Sequence, residues 1–159
     1  MSRAPLLAIA VGNPSRGDDA LGPALLERLR GQADDDLELL TDFQLQIEHA
    51  LDIAARRAVL FVDAALPGTV HGAALTAVAA DPRPAPASHA LRPQAVLGVA
   101  ARLGRAVPPA WLLAIEGECF ELGDGLSATA ERHLDAALRL AQGWLARQRT
   151  ALAMEAADA

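Results

Sequence analysis

The sequence has very little of three kinds of residue. Its 159 residues include one cysteine, Cys119, and no lysine, and aromatic residues make up only 3%. A single cysteine excludes an internal disulfide and a thiolate metal cluster. With scattered arginines, few aromatics and a net charge of −6, the chain offers neither a basic groove for phosphates nor a platform for stacked bases. We therefore expect no nucleic-acid partner.

Long hydrophobic runs and a signal-peptide cleavage pattern are also missing. Hydrophobic residues make up 52% of the chain, but the apolar runs are well short of the roughly 20 residues that cross a bilayer. We therefore predict a cytoplasmic protein without membrane contact. The length predicts one domain over residues 1–150 and a frayed tail over residues 151–159. Nothing in the sequence demands more than a monomer.

Apolar runs that are typical of strands alternate with helical patterns along the chain. The runs are Leu6 to Val11, Leu37 to Leu40, Val59 to Val62, Ala74 to Ala79 and Trp111 to Ile115. The helical patterns cover residues 21–30, 47–55, 93–103 and 128–149. This alternation predicts a three-layer α/β/α domain with a largely parallel, doubly wound sheet of about five strands. Such sheets bind ligands at the carboxyl ends of the strands, where the strand order reverses.

The loop between the first run and the first helical pattern is the most informative segment. It contains Gly12, Asn13 and Gly17, followed by the adjacent acids Asp18 and Asp19. A strand that enters a helix through a Gly/Pro loop with two acids predicts a ligand site. The alternative is that one of the acids caps the following helix. A phosphate-binding loop is disfavoured, because two acids stand where a Walker sequence needs lysine and Ser/Thr.

Asp63 and His89 are further candidates at the same edge of the predicted sheet. Asp63 closes the third apolar run, and His89 precedes the helical pattern that begins near Pro93. If the first and third strands are neighbours, Asp19 and Asp63 face each other across one crevice. Two carboxylates and an imidazole form an open metal site that suits zinc or nickel. Alternatively, Asp63 only accepts backbone hydrogen bonds, and His89 is a solvated loop residue or a helix cap.

The other histidines and the cysteine give weaker signals. We predict an exposed His49, solvated His71 and His133, and a packing role for Cys119. The sequence contains no Gly-x-Ser-x-Gly motif, and Cys119 has no obvious paired base. Nucleophilic catalysis by serine or cysteine is therefore poorly supported.

Three motifs together resemble those of the hydrogenase maturation proteases, which trim the C-terminus of the large subunit of nickel-iron hydrogenases. They are Gly12-Asn13-Pro14 followed by Asp18-Asp19 and Gly22, then Val62-Asp63-Ala64, and finally Ser88-His89 before a helix. The resemblance implies an endopeptidase that acts on the large-subunit precursor after nickel insertion. It also implies that Asp19, Asp63 and His89 contact the metal and carry the catalysis.

The same resemblance implies that nickel arrives with the substrate, and that zinc or cadmium could replace it in a crystal. We expect Gly12, Asn13 and Asp18 to bind substrate, with Asp18 also available to orient another group or to act as a base. Ala20 departs from the glycine that usually follows the acid pair. Two other functions stay open: a nickel-checking module without hydrolysis, and a peptidyl-tRNA-hydrolase-like enzyme, whose His-Asn signature is absent after Pro14.

Overall fold

A computed structural model describes residues 3–84 and 91–159 of the chain. The strands are β1 (Leu6–Val11), β2 (Leu37–Asp42), β3 (Ala58–Ala65), β4 (Ala73–Val78) and β5 (Ala110–Glu116). The helices are α1 (Leu21–Leu29), α2 (His49–Ile53), α3 (Pro93–Arg102) and α4 (Ala128–Asp158). Two short 3₁₀ turns, Gly17–Ala20 and Arg30–Gln32, flank α1.

The strands form one five-stranded sheet in the order β2-β1-β3-β5-β4. β1 is parallel to β2 and β3, and β3 is parallel to β5. Among the strands of the described residues, the edge strand β4 alone runs antiparallel, against β5. Since β2 and β3 lie on opposite sides of β1, the strand order reverses at the β1–β3 pair. The predicted fold class is confirmed, including the neighbouring first and third strands.

Side chains alternate along β1 between two buried cores, as expected for a strand covered on both faces. Leu6, Ala8 and Ala10 belong to the core that also contains residues of α1 and α4. Leu7 and Ile9 belong to the core that contains residues of α2 and α3. The two helix pairs therefore cover opposite faces of the sheet and make the three layers.

Helix α4 is longer than the sequence pattern predicts. We expected fraying from residue 151, but the helix continues to Asp158. Alanine, leucine, methionine and glutamate dominate this last segment and all have high helix propensity. Among the described helices, none combines the length and the apolar character needed to span a membrane.

Candidate active site

The carboxyl ends of β1 and β3 bring Asp19 and Asp63 to one edge of the sheet. Ala10 of β1 pairs with Val62 of β3, so Asp63 lies beside the point where β1 enters the loop that carries Asp19. Burial and the negative charge of Asp19 raise the pKa of the Asp63 carboxyl from 3.8 to about 6, against a smaller lowering by the Ala64 amide. A carboxylate whose charge raises the pKa of another lies close to it, so Asp19 and Asp63 share one crevice.

A short network within the loop holds the Asp19 carboxylate above the end of β1. The backbone amide of Asn13 donates to Asp19 Oδ2 at 2.6 Å, and Asn13 Oδ1 accepts from the Ser15 amide at 2.9 Å. Gly12 has a φ of +150°, and a Cβ there would lie 1.9 Å from the backbone oxygen of Asp19. The loop can therefore close over Gly12 only because that residue has no side chain.

Asp18 has entirely different surroundings from its neighbour. Its side chain is fully buried, with an exposed fraction of 0%. Asp18 Oδ2 accepts from the Glu118 amide at 2.7 Å, the Cys119 amide at 3.0 Å and Ser127 Oγ at 2.7 Å. Oδ1 accepts from the Ser127 amide at 2.8 Å.

These hydrogen bonds decide the charge state of Asp18. Burial raises the pKa of its carboxyl, but the donors of Cys119, Ser127 and Glu118 together outweigh burial, and the net pKa lies below 3.8. A carboxylate without solvent access and with four donors has no free side for a substrate. The oxygens of Asp18 are committed to the protein in this structure, which disfavours the predicted roles in binding substrate and as a base and leaves the predicted role of orienting another group. These roles of Asp18 stay predictions.

Neither acid caps α1, so that alternative prediction is also wrong. The residue at the N-terminus of α1 is Ala20, and no side chain accepts a hydrogen bond there. Ala20 has φ −74° and ψ −3°, so alanine in place of the usual glycine causes no backbone strain. Asp18 instead lies at the N-terminus of α4, where Ser127 Oγ caps the helix by accepting from the Ala130 amide at 3.1 Å.

Among the described residues, two cavities can be seen at this edge of the sheet. One, of about 190 Å³, opens beside Asp63 and is lined mainly by apolar side chains, among them Phe61, Leu91 and Leu112. The other, of about 250 Å³, is bordered by Gly12, Pro14, Pro23, Thr41, Asp42 and Phe43. Both adjoin the end of β1, because Val11 lines the first cavity and Gly12 the second.

The third predicted metal ligand, His89, lies in the segment 85–90, outside the described residues. Over residues 3–84 and 91–159, no cluster of three or more His, Cys, Asp or Glu side chains is arranged to hold a metal ion. The structure thus brings two of the three predicted ligands, Asp19 and Asp63, to the same edge. The functional roles of all three stay predictions.

Sequence reasoning missed a polar pair at the end of β2. His49, which we predicted to be exposed, has an exposed fraction of only 8%. Its Nδ1 accepts from the Gln46 amide at 2.7 Å, so Nε2 carries the proton and faces Asp42 Oδ2 at 3.3 Å. The spacing from Asp42 to His49 gave no local signal, because the contact depends on how the β2–α2 connection folds back.

The remaining histidines and Cys119 give a mixed result. His71 is exposed, as predicted, whereas His133 is half-buried and its Nδ1 donates to the Glu116 backbone oxygen at 2.7 Å. The Cys119 side chain is exposed, so the predicted packing role is wrong. Its backbone makes the contact instead, since the Cys119 oxygen accepts from the Asp18 amide at 2.8 Å.

The chain resembles known proteins in its structure. No protein-family model and no curated sequence matches the chain. The hydrogenase maturating endopeptidase HybD from E. coli is 22% identical, with a TM-score of 0.73 over 90% of this chain and 93% of that one.

Two archaeal structures give the same result. The [NiFe] hydrogenase maturation protease HycI from Thermococcus kodakarensis KOD1 is 23% identical, with a TM-score of 0.62 over 85% of this chain and 88% of that one. HybD from Thermococcus kodakarensis is 17% identical, with a TM-score of 0.62 over 87% and 97% of the two chains. The chain therefore has the fold of the hydrogenase maturation endopeptidases, which confirms the fold that its sequence motifs imply.

Proposed function

We propose that this chain is an endopeptidase that removes a C-terminal peptide from the precursor of a nickel-iron hydrogenase large subunit after nickel insertion. One observation carries the proposal: Asp19 and Asp63 converge where the strand order reverses, and the negative charge of Asp19 helps to raise the pKa of Asp63 to about 6. That place is where doubly wound sheets bind their ligands. The fold shared with hydrogenase maturation endopeptidases supports this substrate class.

The two carboxylates suit a divalent cation. Burial and the negative charge of Asp19 raise the pKa of Asp63, and a cation between the two carboxylates would remove their repulsion. Carboxylate oxygens and an imidazole nitrogen are donors that nickel and zinc accept. In this proposal Asp19, Asp63 and His89 contact nickel that belongs to the substrate, and zinc or cadmium would serve as substitutes in a crystal. Bound there, nickel would supply Lewis-acid polarisation of the scissile carbonyl.

Before a cation binds, Asp63 can hold a proton. A carboxyl whose pKa is about 6 is mostly ionised at neutral pH and mostly protonated in mild acid. A cation bound by Asp63 would displace that proton, because metal ligands must be deprotonated. Asp18 offers no such free carboxylate, since its oxygens accept four hydrogen bonds.

The proposal for His89 comes from the sequence. Leu91 lines the same cavity as Asp63, but His89 itself lies outside the described residues, so its role as a ligand rests on the Ser88-His89 motif. We also propose that the enzyme works as a cytoplasmic monomer.

Mass spectrometry of a nickel-loaded precursor after incubation with the purified chain tests the proposal. We expect release of one C-terminal peptide, and no release from the same precursor without nickel. Binding of the nickel-loaded precursor without a change in its mass would instead support a non-hydrolytic nickel-checking module. If the chain neither binds nor cleaves any large-subunit precursor, both functions are contradicted.

Three substitutions test the site itself: Asp19→Asn, Asp63→Asn and His89→Gln. Each should reduce kcat on the order of a thousandfold, the upper range for removing one group that stabilises a transition state. Matched controls are Asp36→Asn, a carboxylate paired with Arg149, and His71→Gln, an exposed histidine. Both controls should cleave like the wild type. Full activity in all three site variants would refute the assignment.

A further inference from the structure

The turn that carries Asp19 is attached along its length to the segment 117–127, which follows β5. The Gly17 amide donates to the Gly123 oxygen at 3.0 Å, and the Gly123 amide donates to the Ser15 oxygen at 2.9 Å. The Asp18 amide donates to the Cys119 oxygen at 2.8 Å. Backbone hydrogen bonds thus run in both directions between two segments about 100 residues apart in sequence.

Close packing leaves this turn little room to shift. Gly17 has a φ of +55°, and a Cβ there would lie 2.5 Å from the Cys119 oxygen. A Cβ on Gly117 would lie 2.8 Å from the Asp18 Cβ. The two segments therefore meet at a distance that only glycine permits on each side.

The Asp18 carboxylate is the centre of this attachment. Its four hydrogen bonds reach Glu118, Cys119 and Ser127, so one side chain ties the Asp19 turn both to the loop after β5 and to the N-terminus of α4. A carboxylate also suits the positive end of the α4 dipole. Asp19 is the next residue in the chain, and its own carboxylate accepts from the Asn13 amide at 2.6 Å.

We propose that Asp18 is a positioning residue: it fixes the 3₁₀ turn Gly17–Ala20 on the segment 117–127 so that the Asp19 carboxylate reaches the Asn13 amide and faces Asp63. Asp18 acts only through Asp19 and touches no substrate. The activity part of this inference rests on the proposed function, whereas the structural part does not.

The Asn13 amide reports the position of Asp19 directly, because it donates to Asp19 Oδ2. We therefore compare wild type, Asp18→Asn and Asp19→Ala by NMR. Asp18→Asn keeps the size of the side chain but turns an amide group toward donors that need acceptors. We expect the Asn13 amide resonance in Asp18→Asn to move toward its position in Asp19→Ala, with hydrogen exchange at least about tenfold faster than in the wild type.

Kinetics on the nickel-loaded precursor provides the second readout. A misplaced Asp19 should lower kcat of Asp18→Asn by on the order of ten- to a hundredfold and leave KM within about twofold, because orientation at the reacting centre is lost while substrate binding elsewhere is kept.

The matched control is Asp36→Asn. Asp36 also accepts charge-assisted hydrogen bonds, from Arg149 Nε at 2.7 Å and from Arg149 Nη2 at 3.0 Å, so its loss destabilises the protein away from the site. It should keep the wild-type Asn13 resonance and the wild-type kcat. A residue with a purely structural role should therefore lower the stability of the protein without changing the Asn13 resonance or kcat.

An unchanged Asn13 resonance in folded Asp18→Asn would overturn the inference. If Asp18→Asn does not fold, Ser127→Ala removes a single donor to Asp18 and should shift the Asn13 resonance in the same direction by less; no shift there would overturn the inference equally. If the wild-type chain cleaves no precursor, the proposed function fails, while the Asn13 measurement still decides whether Asp18 positions Asp19.

Discussion

Two carboxylate sites, one at Asp18 and the other at Asp19 and Asp63, lie next to each other in this protein and behave in opposite ways. Asp18 is fully buried but receives four hydrogen bonds, and its pKa lies below the ordinary value. Asp63 is half-buried, and burial together with the charge of Asp19 raises its pKa to about 6, against one lowering contribution from the Ala64 amide. Burial thus raises the pKa of both acids. The hydrogen-bond donors around each carboxyl decide whether the net shift is upward or downward.

The difference also separates stability from function. Hydrogen-bonded Asp18 stabilises the fold and has no free oxygen for chemistry. Asp19 and Asp63 repel each other, so their proximity costs stability, which is typical of sites that are arranged for binding or catalysis. Substitutions at the two sites should accordingly change the stability of the protein in opposite directions.

The largest expected effect is that substitutions of Asp18 and Asp63 change the free energy of unfolding at pH 7 in opposite directions. Asp18→Asn should destabilise the protein by about 3 kcal/mol or more, because buried donors lose a charged acceptor. Asp63→Asn should stabilise it by up to about 3 kcal/mol, the value that corresponds to a pKa raised from 3.8 to about 6. Urea denaturation measures both, and a change of the same sign in the two variants would remove the contrast.

The pH dependence of stability should also differ between the sites. Folding raises the pKa of Asp63, so its protonated form contributes to the stability of the protein. This contribution is full below about pH 4 and is lost as the pH rises through about 6. The stability advantage of Asp63→Asn should therefore grow between pH 4 and pH 6 to 7 and then level off.

Asp18 should show the reverse sign. Its pKa is lowered by folding, so it stabilises the protein above its ordinary value of 3.8 and loses this contribution as the pH falls below that value. The loss of stability in Asp18→Asn, relative to the wild type, should therefore be full at pH 7 and should become smaller in acid. Urea denaturation of both variants between pH 3 and pH 8 measures the two curves, and parallel curves would contradict the account.

A glycine substitution tests the geometry around Asp19 alone. Gly12→Ala places a Cβ 1.9 Å from the Asp19 oxygen at a φ of +150°, and should cost about 1–3 kcal/mol as the loop shifts. Gly31→Ala is the control, because nothing lies within 4 Å of its Cβ. The melting temperature and the cleavage rate should both fall in Gly12→Ala and stay unchanged in Gly31→Ala. Equal behaviour of the two variants would show that the Gly12 contact does not constrain the loop.

The smallest expected effect concerns Cys119. Its backbone holds Asp18, but its side chain is exposed, so Cys119→Ser should change the free energy of unfolding by less than about 0.5 kcal/mol. Cleavage should also be unchanged. Loss of activity in this variant would indicate thiol chemistry and shift attention from the carboxylates to the cysteine.

Sequence reasoning predicted the parts of this molecule that depend on local patterns and on sheet topology. The apolar runs placed all five strands, and the reversal between β1 and β3 followed from the common strand order. That topology was enough to place Asp19 and Asp63 at one edge. Asp63 lies near the carboxyl end of β3, and Asp19 lies in the loop that follows the carboxyl end of β1.

Contacts between segments distant in sequence were not predictable in the same way. The partners of Asp18 lie at residues 118, 119 and 127, and no local pattern links them to the first loop. The only available signal was the cluster of glycines from Gly117 to Gly125 after a strand end, which marks a close approach of backbone without saying to what. The burial of His49 was missed for the same reason.

The carboxyl titration of Asp63 by NMR, in the wild type and in Asp19→Asn, tests most directly whether the two acids form one site. The account predicts a pKa of about 6 in the wild type and a lower value, still above 3.8, once the charge of Asp19 is removed and burial alone remains. An Asp63 that titrates near 3.8, or one whose pKa is unaffected by Asp19→Asn, would show that the two carboxylates do not share a crevice.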